Sequence, residues 1–253
     1  MTWSEGGTLG TIIHQPAAQM MAGHAVGILL LNTGYPIIPG NVANASTYDY
    51  PVRFTVVEGA DSPRLIGGDP TLLEPILAAA QELVRDGCRA IVGACGYFAR
   101  FQRELAEALP VPVFLSSLCQ VPMLLGALQP EQRLGILCAK QSSLDQRMLT
   151  AVGIPEDAPI VVAGMEHSPG FRGAILEDQG WMDVDQVRDE VVGAAVRLVT
   201  DHPEIGGLLL ECSDMPPYAK QIQDATGLPV WDYVTLIDWI HSSVVRRTYD
   251  GFI

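Results

Sequence analysis

Residues 207–216 read Gly-Leu-Leu-Leu-Glu-Cys-Ser-Asp-Met-Pro, and residues 90–97 read Ala-Ile-Val-Gly-Ala-Cys-Gly-Tyr. Each is a short apolar run that ends at a cysteine, Cys95 or Cys212, just before a helical pattern. Counting on from each cysteine, a proline stands at +17 (Pro112, Pro229), a valine at +18 (Val113, Val230) and an aromatic at +19 (Phe114, Trp231). Upstream, Gly27-Ile28-Leu29 matches Gly135-Ile136-Leu137. Several matches in register indicate two similar half-domains. The competing reading, that any two strand–helix–strand units share such signals, stays open at this point.

Working outward, apolar runs of strand length alternate with helical patterns. Strands are expected at Val26–Leu31, Val52–Val57, Ala90–Ala94, Leu134–Ala139, Ile160–Ala163 and Gly207–Glu211. A helix is expected after Asp69 and Pro70, with Leu72, Leu73, Ile76, Leu77, Ala80, Leu83 and Val84 as its stripe and Gly87 as its stop. Further helices are expected over Tyr97–Leu109, Ser143–Val152, Val184–Val199, Pro216–Ala225 and Tyr233–Val245, with Asp183 and Gln186 as a capping box. Near-continuous apolar strands separated by helices imply parallel sheets covered on both faces. The expected class is α/β, in two pseudo-symmetric parallel-sheet domains with the site in the cleft between them. Residues 25–116 plus 231–253 form the first half and 117–230 the second, after an N-terminal extension over 1–24.

Composition narrows the function. The chain has 253 residues, 48% hydrophobic and 17% charged, which excludes intrinsic disorder. No apolar run reaches the roughly 18 residues of a spanning helix, and residues 1–25 lack the pattern of a secretory signal. A cytoplasmic protein is expected. A net charge of −14 disfavours nucleic acid and anionic membranes as partners, so the expected partner is a small molecule. Oligomeric state stays open, a homo-oligomer included. The chain has no Gly-Lys-Ser/Thr loop and no G-x-G-x-x-G at a strand–helix junction, so no nucleotide or dinucleotide site is expected.

Five cysteines with no C-x-x-C pair fit neither a disulfide framework nor a zinc site, and no metal is expected. Cys88, Cys119 and Cys138 sit in apolar contexts and read as core. Cys95 and Cys212 stand at the carboxyl ends of strands before helices, the edge where open α/β sheets bind ligands. Backbone N–H groups and the helix dipole are expected to lower their pKa there.

At these residues the sequence resembles the aspartate/glutamate racemase superfamily, which works without a cofactor. The motifs are Gly93-Ala94-Cys95-Gly96-Tyr97 and Leu210-Glu211-Cys212-Ser213-Asp214-Met215-Pro216, supported by Leu31-Asn32-Thr33-Gly34 and Ala139-Lys140-Gln141-Ser142-Ser143. The resemblance spans about residues 25–245. It implies that one cysteine, as thiolate, removes a proton from the α-carbon while the opposite thiol delivers one to the other face. Retention of both cysteines favours racemisation or epimerisation over the decarboxylase branch, which keeps one. Asn32-Thr33 and Ser213-Asp214 replace the Asp-Ser and Thr-His of glutamate racemases, and Asp214 is closer to the aspartate-racemase pattern.

Removing an α-proton places charge on a carboxylate or carbonyl, which fixed N–H and hydroxyl donors stabilise. The candidates are Asn32, Thr33, Gly96, Tyr97, Gln141, Ser142 and Ser213, with Lys140 as a charge and Asp214 beside the second cysteine. Ser142 or Ser143 also suits a helix N-cap, and Glu166 and His167 follow a strand that could face the cleft. An anionic substrate must be attracted locally, since the global charge opposes it. Two other readings stay open: a maleate-type isomerase or malonate decarboxylase on the same fold, and a non-catalytic small-molecule binding module.

Overall fold

The computed structural model describes residue 19 and residues 21–250. The expected N-terminal extension therefore lies largely outside the described residues. In chain order the elements are β1 (Val26–Leu30), β2 (Val52–Val56), α1 (Ser62–Ile66), α2 (Leu73–Arg85), β3 (Ala90–Gly93), α3 (Gln102–Ala108), β4 (Val113–Phe114) and α4 (Val121–Leu125). They continue as β5 (Arg133–Cys138), α5 (Gln146–Ala151), β6 (Ile160–Gly164), α6 (Pro169–Phe171), α7 (Val184–Asp201), β7 (Ile205–Leu210), α8 (Ala219–Thr226), β8 (Val230–Trp231) and α9 (Tyr233–Val244).

The strands form two four-stranded sheets, ordered β2-β1-β3-β4 and β6-β5-β7-β8, parallel throughout. The two orders are the same order written twice. The fold is α/β with two similar halves, and the matches in register seen in the sequence fall on equivalent strands. Trp231 pairs with Leu209, so the second sheet runs through that residue.

Both faces of the first sheet are buried, and alternate residues serve opposite sides. Val26, Ile28, Ala90 and Val92 pack with Tyr233, Leu236, Ile237 and Ile240 of α9. Leu29 and Ile91 point the other way, into a cluster with Ile76, Ala80 and Leu83 of α2. Alternation of this kind makes a strand read as a continuous apolar run. Gly27 and Gly135 are equivalent and serve one purpose. A Cβ at Gly27 would lie 2.9 Å from Leu83 Cβ, and one at Gly135 would lie 2.7 Å from Leu208 Cδ2.

Several helices enter through a 3₁₀ turn, which the apolar pattern does not distinguish from α-helix. Pro70–Leu72 precedes α2, Gly96–Phe101 precedes α3, and Pro216–Tyr218 precedes α8. Asp69 accepts from Thr71 N–H and Gly87 lies at φ +94°, as the stop signal requires. Asp183 caps α7 by accepting from Gln186 N–H, but the expected box is half made, because the Gln186 amide donates to Glu190. A complete capping box occurs instead at α9, between Asp232 and Thr235. The helix expected from Ser143 begins later, because Asp145 is its N-cap and neither Ser142 nor Ser143 caps it.

One apolar cluster runs through both halves, from Leu29 and Ile76 to Ile136, Leu209 and Ile222. Polar ties cross the same seam. Tyr97 Oη donates to Lys140 O at 2.8 Å, Ser213 Oγ donates to Ala94 O at 2.9 Å, and Arg100 pairs with Asp145. Among the described residues no helix is long and apolar enough to cross a membrane.

Candidate active site

One local rule places both cysteines. Past the last paired residue of β3, Ala94 N–H donates to Leu29 O at 2.8 Å; past β7, Glu211 N–H donates to Leu137 O at the same distance. The next residue is Cys95 in one half and Cys212 in the other, each at a carboxyl edge with a 3₁₀ turn following. Each thiol, once ionised, is favoured by the amide two residues on, that of Tyr97 for Cys95 and of Asp214 for Cys212.

Cys95, Gly96, Tyr97, Cys212, Ser213 and Asp214 line one narrow cleft. Thr33 lines an adjoining cavity that shares Tyr35, Ala94, Ser213 and Asp214 with the first. Asn32, Lys140, Gln141 and Ser142 line neither. Asn32 is exposed and its N–H donates to Ala60 O. The Gln141 N–H is taken by the Glu166 carboxylate, at 3.1 and 3.2 Å. Lys140 meets the site through its backbone, whose N–H and carbonyl both engage the Tyr97 hydroxyl. Tyr97 is thus a buried tie across the seam as well as part of the wall.

Asp214 is held from several sides. Asn41 Nδ2 donates to its Oδ1 at 2.5 Å, and Tyr35 Oη and the Cys212 thiol donate to Oδ2 at 3.2 and 3.4 Å. The Ser213 hydroxyl donates to Ala94 O at 2.9 Å, joining the second cysteine loop to the first. Tyr35 and Asn41 come from the loop after β1 and were not singled out in the sequence. Their distance from Asp214 along the chain hides the contact.

The charge pattern reverses one expectation. Both thiols are pushed up rather than down. Burial acts first on each; Glu211 then adds repulsion at Cys95, and Asp214 and Glu211 add it at Cys212. The helical turns are short, and two neighbouring carboxyls outweigh their amides. Burial raises Asp214 as well. Glu211 is fully buried with no hydrogen bond of ordinary geometry to either carboxyl oxygen, and burial lifts its carboxyl to about 8, offset only in part by the Ala139 amide. No Lys, Arg or His lines either cavity among the described residues.

Gly96 owes its identity to that glutamate, since a Cβ at position 96 would fall 1.8 Å from Glu211 Oε1. The other cysteines stand apart. Cys88 and Cys138 are buried, as expected, whereas Cys119 is half-buried with its thiol 3.5 Å from Gln102 Oε1. No group of three or more His, Cys, Asp or Glu side chains is placed to hold a metal ion, among the described residues.

A family described as Asp/Glu/Hydantoin racemase matches residues 42–238, a span that holds both cysteines and every strand except β1. The chain belongs to the Asp/Glu/hydantoin racemase family. Within that family's fold it is similar to the aspartate racemase of Picrophilus torridus, at 15% identity and a TM-score of 0.57, over 90% of this chain and 96% of that one. In sequence it is similar to dimethylsulfoniopropionate lyase 6 of Emiliania huxleyi (strain CCMP1516), 29% identical over 246 residues. That match covers 93% of this chain but 64% of the relative, so the chain spans under two thirds of the relative's length. A dimethylsulfoniopropionate lyase of Durusdinium sp. clade D is 28% identical, over 85% of this chain and 73% of that protein.

Proposed function

We propose that this member of the Asp/Glu/hydantoin racemase family removes the α-proton of a small carboxylate with a cysteine base, and that it uses the resulting carbanion for β-elimination from a sulfoniopropionate. The observation that carries the first step is the pair Cys95 and Cys212 lining one cavity, each from the equivalent edge of its half. The two halves are proposed to act as domains flanking the substrate. Supporting the second step is the similarity to lyases that, by their names, act on dimethylsulfoniopropionate.

The chemistry balances with one base. A thiolate takes the proton from Cα, the electron pair becomes the Cα–Cβ double bond, and the Cβ–S bond breaks. Dimethyl sulfide leaves neutral and acrylate remains, so the leaving group needs no acid. The cation also addresses the raised thiols, because positive charge beside them offsets the repulsion from Glu211 and Asp214. Asp214, already accepting from the Cys212 thiol, is the group placed to take its proton. The Thr33 hydroxyl and the Gly96 amide are proposed to receive the substrate carboxylate, the Tyr97 amide serving the Cys95 thiolate.

Racemisation is the second reading, and one feature favours it. Elimination needs a single base, whereas both thiols are retained on the same cavity. The test is to incubate the purified protein with dimethylsulfoniopropionate and measure dimethyl sulfide by gas chromatography. Deuterium exchange at Cα is followed across amino acids, hydantoins and hydroxy acids, and maleate and arylmalonates are assayed for isomerisation and decarboxylation. The lyase reading expects sulfide release, with Cys95→Ser or Cys212→Ser lowering it by about a hundredfold or more. Deuterium exchange without release favours racemisation. Binding that survives both substitutions, with no turnover of any of these compounds, overturns the catalytic reading in favour of a binding module.

A further inference from the structure

Glu211 is the side chain that proton abstraction leaves unused. In the repeat it is the counterpart of Ala94, so the second half carries a carboxyl where the first carries a methyl. It has no exposed surface, and neither oxygen has a hydrogen bond of ordinary geometry, the Ala139 amide being the one donor that favours its charged form. The ionisable groups whose charge it feels include Cys95, Tyr97, Cys138, Cys212 and Tyr233, all of them acids. A buried carboxyl with so little donation and no cation is costly to keep, and natural interiors rarely leave one so.

The cavity it lines tells what is missing. Leu31, Ile66, Ile175 and Leu176 supply apolar wall, and Tyr35 and Tyr97 supply aromatic rings. We propose that Glu211, with Asp214 in the same wall, is the recognition site for an alkylated onium group of the substrate, a sulfonium or a quaternary ammonium. Such a cation has no N–H to donate, so it asks for negative charge and methyl-sized apolar contact rather than hydrogen-bond acceptors in fixed directions. Aromatic faces add to its binding. A primary ammonium would need its three N–H groups satisfied, and the apolar wall offers them little. The inference rests on the proposed reading of this cleft as the substrate site. It adds the part of the substrate that the cysteines do not touch.

Binding is tested apart from turnover, in a Cys95→Ser/Cys212→Ser background, by calorimetry. The ligands are dimethylsulfoniopropionate and its uncharged carbon isostere 4-methylpentanoate. The sulfonium is expected to bind about tenfold more tightly or better, and Glu211→Gln is expected to bring the ratio to about twofold or less. A Glu→Gln change keeps the shape, so a purely structural role would leave the ratio unmoved. Glu211→Ala, which relieves the close approach to Gly96, serves if the glutamine variant does not fold. Equal binding of the two ligands, or a ratio unchanged in the variants, overturns the assignment. Its failure is separable from that of the proposed reaction: cysteine-dependent turnover with no cation preference sinks the onium site alone. A cation preference in a protein that never turns over sinks the reaction alone.

Discussion

Residue 96 accepts a glycine and nothing larger, because the Glu211 carboxyl occupies the space a side chain would need. Gly96→Ala is therefore expected to destabilise the protein by about 1–3 kcal/mol through overpacking. Glu211→Ala in the same chain should recover part of the loss, since the Glu211 carbonyl oxygen stays 2.8 Å from the added Cβ, and a double-mutant cycle of urea midpoints checks it. Additive effects would show that the two residues do not compete for space. Glu211 also gives stability a pH dependence of definite sign. Its carboxyl stands at about 8 in the folded chain against an ordinary 4.5, so between those values the unfolded chain binds fewer protons. Stability then falls as pH rises through that window, by on the order of a few kcal/mol, with buried Asp214 and Asp232 acting in the same direction. Urea midpoints from pH 5 to 8 should fall less steeply in Glu211→Gln; parallel curves would contradict the account.

Between elements, two carboxylates occupy backbone amides in loops that follow strands. Glu166 takes Gln141 N–H in the loop after β5, and Asp178 takes Gly34 N–H with both oxygens, at 2.8 and 3.0 Å, in the loop after β1. Asp178 reaches across from the segment between α6 and α7 and holds φ +50°, a conformation that costs a non-glycine residue energy. Removing the acceptor with Asp178→Ala should free the loop. Hydrogen exchange at the Gly34 amide is expected to speed up by about tenfold or more, since local opening then breaks no bond. Unchanged protection would show that the loop is held elsewhere. At the seam, Tyr97→Phe deletes the hydroxyl between Lys140 N–H and carbonyl and should cost about 1–2 kcal/mol.

At the scale of the molecule, the two sheets share one apolar cluster and several polar ties, so neither half is expected to unfold alone. Differential scanning calorimetry should give a single transition with matching calorimetric and van't Hoff enthalpies. Two resolved transitions would show the halves to be independent. Sequence and structure meet differently at this scale. The strand ends were legible to within one or two residues, the start of β7 at Ile205 lying two before the expected Gly207, because a buried parallel strand must be apolar on both faces and the chain changes character where it leaves the sheet. The 3₁₀ entries to α2, α3 and α8 were not, since bonds to i+3 and to i+4 bury nearly the same stripe.

By itself, the sequence determined the α/β class, the duplication and the equivalence of Cys95 with Cys212. All of these are written in spacing along the chain: apolar period, turn residues and a cysteine repeated in register. Tertiary structure decided what surrounds those thiols. Tyr35 and Asn41 reach Asp214 across more than half the chain, Glu211 settles over Gly96, and burial, then the two carboxyls, raise thiols that their helical turns alone would lower. The reason is physical: burial and charge act through space, and which groups share a cavity is fixed only when the two sheets pack.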